Sequence, residues 1–158
     1  MHTDLWNYAL ALYTRPGVEE ACLSLQAQGC DVCMLLCATW LQGRGVAPTR
    51  DRIQALQTLA APWQQEVVSM LRHLRQQWRA QAQQDPQLAA LREQVKGLEL
   101  QAEKLLLQRL EACAQAWPSG AGEADWLTLL TPEHARGHDA LNQLRVAAAG
   151  LQEAEDGA

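Results

Sequence analysis

The chain has 158 residues, a formal charge of −5 and 48% hydrophobic side chains. That is one domain's worth of sequence, with enough apolar material for a core and too little net charge for a disordered chain. Ala and Leu contribute 26 residues each and Gln 19, whereas Ile and Val together give 8 and Phe is absent. So small a supply of β-branched and aromatic residues argues against a multi-strand sheet and predicts an all-α protein.

The longest apolar run, Val32 to Leu41, is far below the ~20 residues of a membrane-spanning helix. The N-terminal Met1-His2-Thr3-Asp4 lacks the features of an export signal. A cytoplasmic location is therefore expected, with Cys22, Cys30, Cys33, Cys37 and Cys113 kept as thiols. An acidic chain also argues against a dedicated nucleic-acid binder, which needs a clustered basic surplus.

In chain order, Asp4 caps a first helix from Leu5 to about Tyr13. Pro16 suits the first turn of a second helix, in which Val18, Ala21, Cys22 and Leu25 recur at helical spacing and which Gly29 ends. Asp31 caps a third helix, Val32 to Leu41, apolar nearly all round and so expected at the centre. Thr49 caps a short fourth helix through Ile53, Leu56 and Leu59, stopping near Pro62. From Trp63 to about Gln84, the residues Val67, Met70, Leu71, Leu74 and Trp78 form one stripe. Asp85-Pro86 then starts a helix to about Trp117, roughly 45 Å long. Its Leu88, Leu91, Val95, Leu98, Ala102 and Leu105 are heptad-like, and Gly97 is its weak point. These two segments predict a long antiparallel hairpin over 62–117, following a short-helix group over 1–61. A loop over 118–122 and a turn at Trp126 to Leu130 lead to Thr131-Pro132-Glu133, read as the start of the last helix. That helix carries Leu141, Leu144, Ala148 and Leu151, closes the 118–153 region and gives way to a frayed acidic tail, 154–158. One domain of six or seven helices results.

The N-terminal third also has a distinctive pattern: Asp4-Leu5-Trp6, Leu12-Tyr13, Pro16-Gly17-Val18, Ala21-Cys22-Leu23, Gly29, Asp31-Val32, Leu35-Leu36 and Trp40-Leu41. It resembles a short, uncharacterised proteobacterial family, a domain of unknown function. The resemblance is dense over about the first 45 residues, thins through Trp63 and Arg72, and fades after Gln84. It implies a bacterial cytoplasmic helical protein and supplies no activity and no catalytic residue.

Four constellations bear on function. The cysteines Cys30, Cys33 and Cys37, with Cys22 nearby, have a spacing reminiscent of metal ligation. Val, Met and Leu lie between them on one helix, so they read first as small core hydrophobes. His134 and His138, four apart, would share one face of the last helix and could bind a metal with an acid or Cys113 as third ligand. They also extend the Leu141/Leu144 stripe, and neither an HExxH nor a Glu-x-x-His motif occurs. Arg72, Arg75 and Arg79 fall within about 60° on one helix side. That stripe is either an anion clamp or a solvated face paired to Glu99, Glu103 or the acidic C-terminal region. Charge is uneven in a matching way: residues 62–84 hold three Arg and one Glu, net +2, and residues 118–158 hold seven acids and two Arg, net −5. Finally, Trp6, Tyr13, Arg15, Asp31 and Trp40 could line a pocket among the N-terminal helices or form a satisfied polar network.

Ser24, Ser69 and Ser119 lack a nucleophile elbow, and Gly43-Arg44-Gly45 is too short for a phosphate loop. No catalytic residue and no cofactor is assigned. The expectation is a non-enzymatic interaction module engaging a protein or small anionic partner through Arg72, Arg75 and Arg79, with a homodimer through the heptad-like helix as a further possibility. A metal protein using His134 and His138, or a small-molecule pocket at Trp6, Tyr13 and Trp40, are the alternatives.

Overall fold

A computed structural model describes residues 4–120 and 125–157. Residues 121 and 122 of the expected loop lie outside the described residues, as do Met1 to Thr3 and the terminal Ala158. Every named element among the described residues is a helix, with no strand; a single bridge joins Val46 to Ser119.

Local sequence sets most boundaries. The Asp4 carboxylate accepts from the Asn7 N–H and opens α1, Leu5–Tyr13. Helix α2 is Val18–Ala27, and the expectation that Pro16 occupies its first turn is corrected. Gly17 stands between them at φ +81°, a left-handed conformation that keeps Pro16 outside the helix. Asp31 accepts from the Met34 N–H and starts α3, Val32–Gly43. All ten side chains from Val32 to Leu41 are buried, so α3 is the central element.

Thr49 caps α4, Arg50–Trp63. Here the expected stop at Pro62 does not occur. Pro62 has no N–H to return to the preceding turn, yet the chain stays helical by widening into a π-turn, Gln64–Val68, and runs on as α5, Ser69–Gln77. The π-turn also rotates the face of α5 relative to α4. Met70, expected in the apolar stripe, is 62% exposed. A turn at Trp78 and the short α6, Arg79–Ala82, follow.

Asp85 accepts from the N–H groups of Gln87 and Leu88 and, with Pro86 at the first position, starts α7, Pro86–Ala114. It passes Gly97 unbroken and ends three residues before Trp117. Both α4 and α5 pack on α7. Partners on α7 come later as the first rod is followed back: Arg92 Nε donates to the Arg75 carbonyl, Arg72 meets Glu99, and Trp63 Nε1 donates to the Ala102 carbonyl.

Asp125 caps α8, Trp126–Leu130, which docks on α3. Trp126 is fully buried; its Nε1–H donates to the Val46 carbonyl at 2.6 Å, its backbone N–H donates to Gln42 Oε1, and its ring stacks on Trp117. The last helix does not start at Thr131-Pro132-Glu133, as expected. Only a 3-10 turn, Glu133–Ala135, forms there, and α9 runs from Asp139 to Asp156. The expected frayed tail is therefore helical almost to its end, with Gln152 Nε2 donating to the Asp156 carboxylate one turn on. Helix α9 packs against α2 and α3.

Candidate functional site

The cysteines settle into the core. Cys22, Cys30, Cys33 and Cys37 are buried, and Cys113 is half-buried. Burial pushes the Cys22 thiol up to about 11 and raises Cys37 and Cys33 further, so these groups stay protonated and pack as apolar matter. Cys33 Sγ lies 3.9 Å from the Glu103 carbonyl.

The histidine pair does not form. His134 sits in the 3-10 turn with Nε2 2.7 Å from the Gln28 carbonyl oxygen, and His138 is the N-cap of α9, its Nδ1 accepting from the Ala140 N–H. They do not share a helix face, because Gly137 separates the turn from α9. Among the described residues no three His, Cys, Asp or Glu side chains are grouped to hold a metal ion.

The expected pocket among the N-terminal helices disperses. Trp6 lies under Lys104, 5.1 Å from the ring centroid; Arg15 Nη2 donates to the Gly150 carbonyl; Asp31 caps α3; Trp40 lies under Arg44. Tyr13 reaches the cluster described next as part of its wall, and Asp31 reaches it through the charges of Arg72 and Glu103. Side chains on separate short helices point to different faces once each helix is packed.

The arginines are brought together in part. Arg72 and Arg75, one turn apart on α5, turn inward onto Glu99 of α7, which is 6% exposed. Arg72 Nε donates to Glu99 Oε1 at 3.1 Å; Arg75 donates through Nε to Oε2 at 2.6 Å and through Nη2 to Oε1 at 3.2 Å. Arg79 does not join them. It is exposed on α6, beyond the turn at Trp78, so the three-residue exposed stripe is corrected to an inward-facing pair. Glu103, one turn after Glu99, faces the same cluster.

Together, Arg72, Arg75, Glu99 and Glu103 line a cleft of about 640 Å³ with Tyr13 and Cys22 on its other wall. Burial drives the electrostatics. It raises the Glu103 carboxyl to about 7, against the opposing pull of Arg72, with the charges of Glu99 and Asp31 adding to the rise. Asp31 is raised to about 6 by burial, partly offset by N–H donation from Met34 and Cys33 and by Arg72. The hydrogen bond to Glu99 holds the Arg75 guanidinium charged. Tyr13 is pushed above its usual range by burial and by the Cys22 thiol. The signal for Glu99 was present in the sequence: it falls four residues after Val95 and three before Ala102, inside the buried face of α7. A carboxylate there requires a partner on the facing helix.

The fold and this cleft define an all-α protein with a buried arginine–carboxylate cluster opening to solvent. Residues 4–110 match the model of a family of proteins of unknown function, DUF2390, and the chain belongs to that family. The match extends past Gln84 through most of α7 and includes Arg72, Arg75, Glu99 and Glu103; α8, α9 and both His134 and His138 lie beyond it. No curated protein and no solved structure matches the chain. Among the described residues no helix is long and apolar enough to cross a membrane.

Proposed function

We propose that the chain is a non-enzymatic, cytoplasmic binding module that seats a carboxylate or phosphate group of an acidic partner against Arg72 and Arg75. The observation carrying this reading is the uneven use of the two guanidiniums. Glu99 takes Nε of Arg72 and Nε and Nη2 of Arg75, and the remaining Nη groups have no acceptor among the described residues. Two permanent cations thus share one contacting carboxylate at the base of a cleft. Glu103, with its carboxyl raised to about 7, is neutral through the lower part of the physiological range and can donate as well. An incoming oxyanion would engage the remaining Nη groups through bidentate hydrogen bonds. Five free thiols, four of them buried, accord with a reducing compartment.

Arginine Nε–H NMR signals, titrated with inorganic phosphate and with citrate at pH 6.5, test this. Arg72 and Arg75 signals should shift saturably, and more weakly at pH 8, where Glu103 ionises. Arg72→Gln and Arg75→Gln should each remove the response. Absence of saturable shifts at pH 6.5, or shifts that persist in both variants, overturns the reading.

A second copy of this chain is the partner proposed for the outer face of α7. Leu91, Leu98 and Leu105 are 51%, 52% and 38% exposed at seven-residue spacing. Gln87, Gln94, Gln101 and Gln108 flank them, so two acidic copies can meet there without like-charge contact. Sedimentation equilibrium should give a dimer that Leu98→Lys converts to monomer; a monomeric parent chain ends this reading.

A further inference from the structure

A second cleft lies on the other side of α3, between it and α9, remote from the arginine cluster. It has two lobes, of about 330 Å³ and about 290 Å³, both bordered by Tyr8, Gly43 and Gln152. Gln152 lies over Gly43: a Cβ at that position would stand 2.9 Å from Gln152 Oε1. The larger lobe is walled by Leu127, Ala148 and Ala149. Its polar groups are already engaged. Tyr8 Oη donates to Thr39 Oγ1, Thr39 donates to the Leu36 carbonyl, Gln42 Oε1 accepts from the Trp126 N–H, and Arg145 donates to Asp125 and Thr128.

The smaller lobe contains the exception. Trp40 is 4% exposed, and its Nε1–H is buried without an acceptor among the described residues. Buried polar groups are almost always paired, because an unpaired donor forfeits its hydration and receives nothing in return. Indole nitrogen is a donor only, so no change of protonation relieves it. The Arg44 guanidinium covers the ring face at 4.6 Å and leaves the donor edge unmet. Arg44 shares this lobe with Glu155 and Asp156, a formal charge of −1 that disfavours an anion, so the acceptor this donor calls for is an uncharged oxygen.

We propose that the α3–α9 cleft is a binding site for a small neutral molecule with an apolar body and one carbonyl-type oxygen. The oxygen accepts from Trp40 Nε1–H once the side chains enclosing it give way, and the body fills the apolar lobe over Leu127, Ala148 and Ala149. Nothing in this site depends on Arg72 or Arg75, so it stands apart from the anion seat.

The test uses 15N-labelled full-length protein, with the Trp40 indole signal among the six Trp assigned by its loss in Trp40→Phe. Acetophenone is titrated as a neutral aryl ketone, and ethylbenzene as its counterpart without the oxygen. The Trp40 Nε1–H signal should move downfield saturably with acetophenone, which should bind about tenfold more tightly than ethylbenzene. Trp40→Phe should remove that preference, and Ala149→Leu, which fills the apolar lobe without touching Trp40, should weaken both probes at least tenfold. Equal affinity for the two probes, no saturable Trp40 shift up to the solubility limit, or full binding in Ala149→Leu each overturns the proposal. If Trp40→Phe fails to fold, the probe comparison on the parent chain and on Ala149→Leu decides it alone.

Discussion

Arg75 and Glu99, 24 residues apart, meet through two hydrogen bonds, Nε to Oε2 at 2.6 Å and Nη2 to Oε1 at 3.2 Å, with Arg72 donating to the same carboxylate. This contact joins α5 to α7 in the middle of the molecule and leaves Glu99 almost wholly out of water. A carboxylate so placed is tolerated because three N–H groups replace its hydration.

Glu99→Gln keeps the volume and removes the charge. It leaves two guanidiniums without their counter-ion, and breaking a buried pair from one side is more costly than the pair's net worth. Because both arginines retain some exposure, a loss of about 2 to 3 kcal/mol is expected. Urea unfolding should show a lower midpoint at unchanged slope; an unchanged midpoint would mean that the pair contributes nothing to stability.

Glu103 makes stability depend on pH. Its carboxyl is raised from 4.5 to about 7 in the fold, chiefly by burial, with Arg72 and Arg75 opposing and Glu99 and Asp31 reinforcing. A group raised in the fold favours the folded state while it holds its proton. That contribution is complete below about pH 4.5, declines as pH rises, and is gone above about pH 7. Glu103→Gln should therefore be equal to the parent at pH 4 and more stable by about 1 to 2 kcal/mol at pH 8, a discounted figure given its partial exposure. Asp31, raised from 3.8 to about 6, adds a similar decline at lower pH that the variant retains. Thermal unfolding across pH 4 to 8 measures both, and parallel curves for parent and variant would contradict the assignment.

The thiols should react in two groups. Cys113 is half-buried with a thiol raised only by burial, whereas Cys22, Cys30, Cys33 and Cys37 are enclosed. With a chromogenic disulfide reagent at pH 8, no more than one thiol per chain should react before unfolding, and the other four should follow the unfolding transition. Rapid reaction of two or more in the native state would show that the α3 core opens.

Much of the architecture was legible because it is decided within a few residues. A side-chain oxygen at Asp4, Asp31, Thr49 or Asp85 reaches N–H groups two or three positions ahead, and the start of each helix follows. The burial of α3 follows equally from its unbroken run of apolar side chains. The Arg–Glu cluster was half legible: Arg72, Arg75 and Glu99 were each candidates, but whether the arginines faced outward or inward was open. Pro62 and the His134–His138 spacing departed from expectation because the helix type changes there, to a π-turn and to a 3-10 turn, while Arg79 is set apart from Arg72 and Arg75 by the turn at Trp78.

Sequence alone determined that this chain is helical, where most of its helices begin and which one lies at the centre, since capping and apolar spacing act over one turn. Tertiary structure decided which faces meet. The π-turn at Gln64–Val68 widens one turn and so shifts the rotational phase of everything on α5, by an amount of order the 100° that separates successive residues. That rotation directs Arg72 and Arg75 toward Glu99 and Met70 toward water. It depends on how α4, α5 and α7 pack together, and no short stretch of residues encodes it.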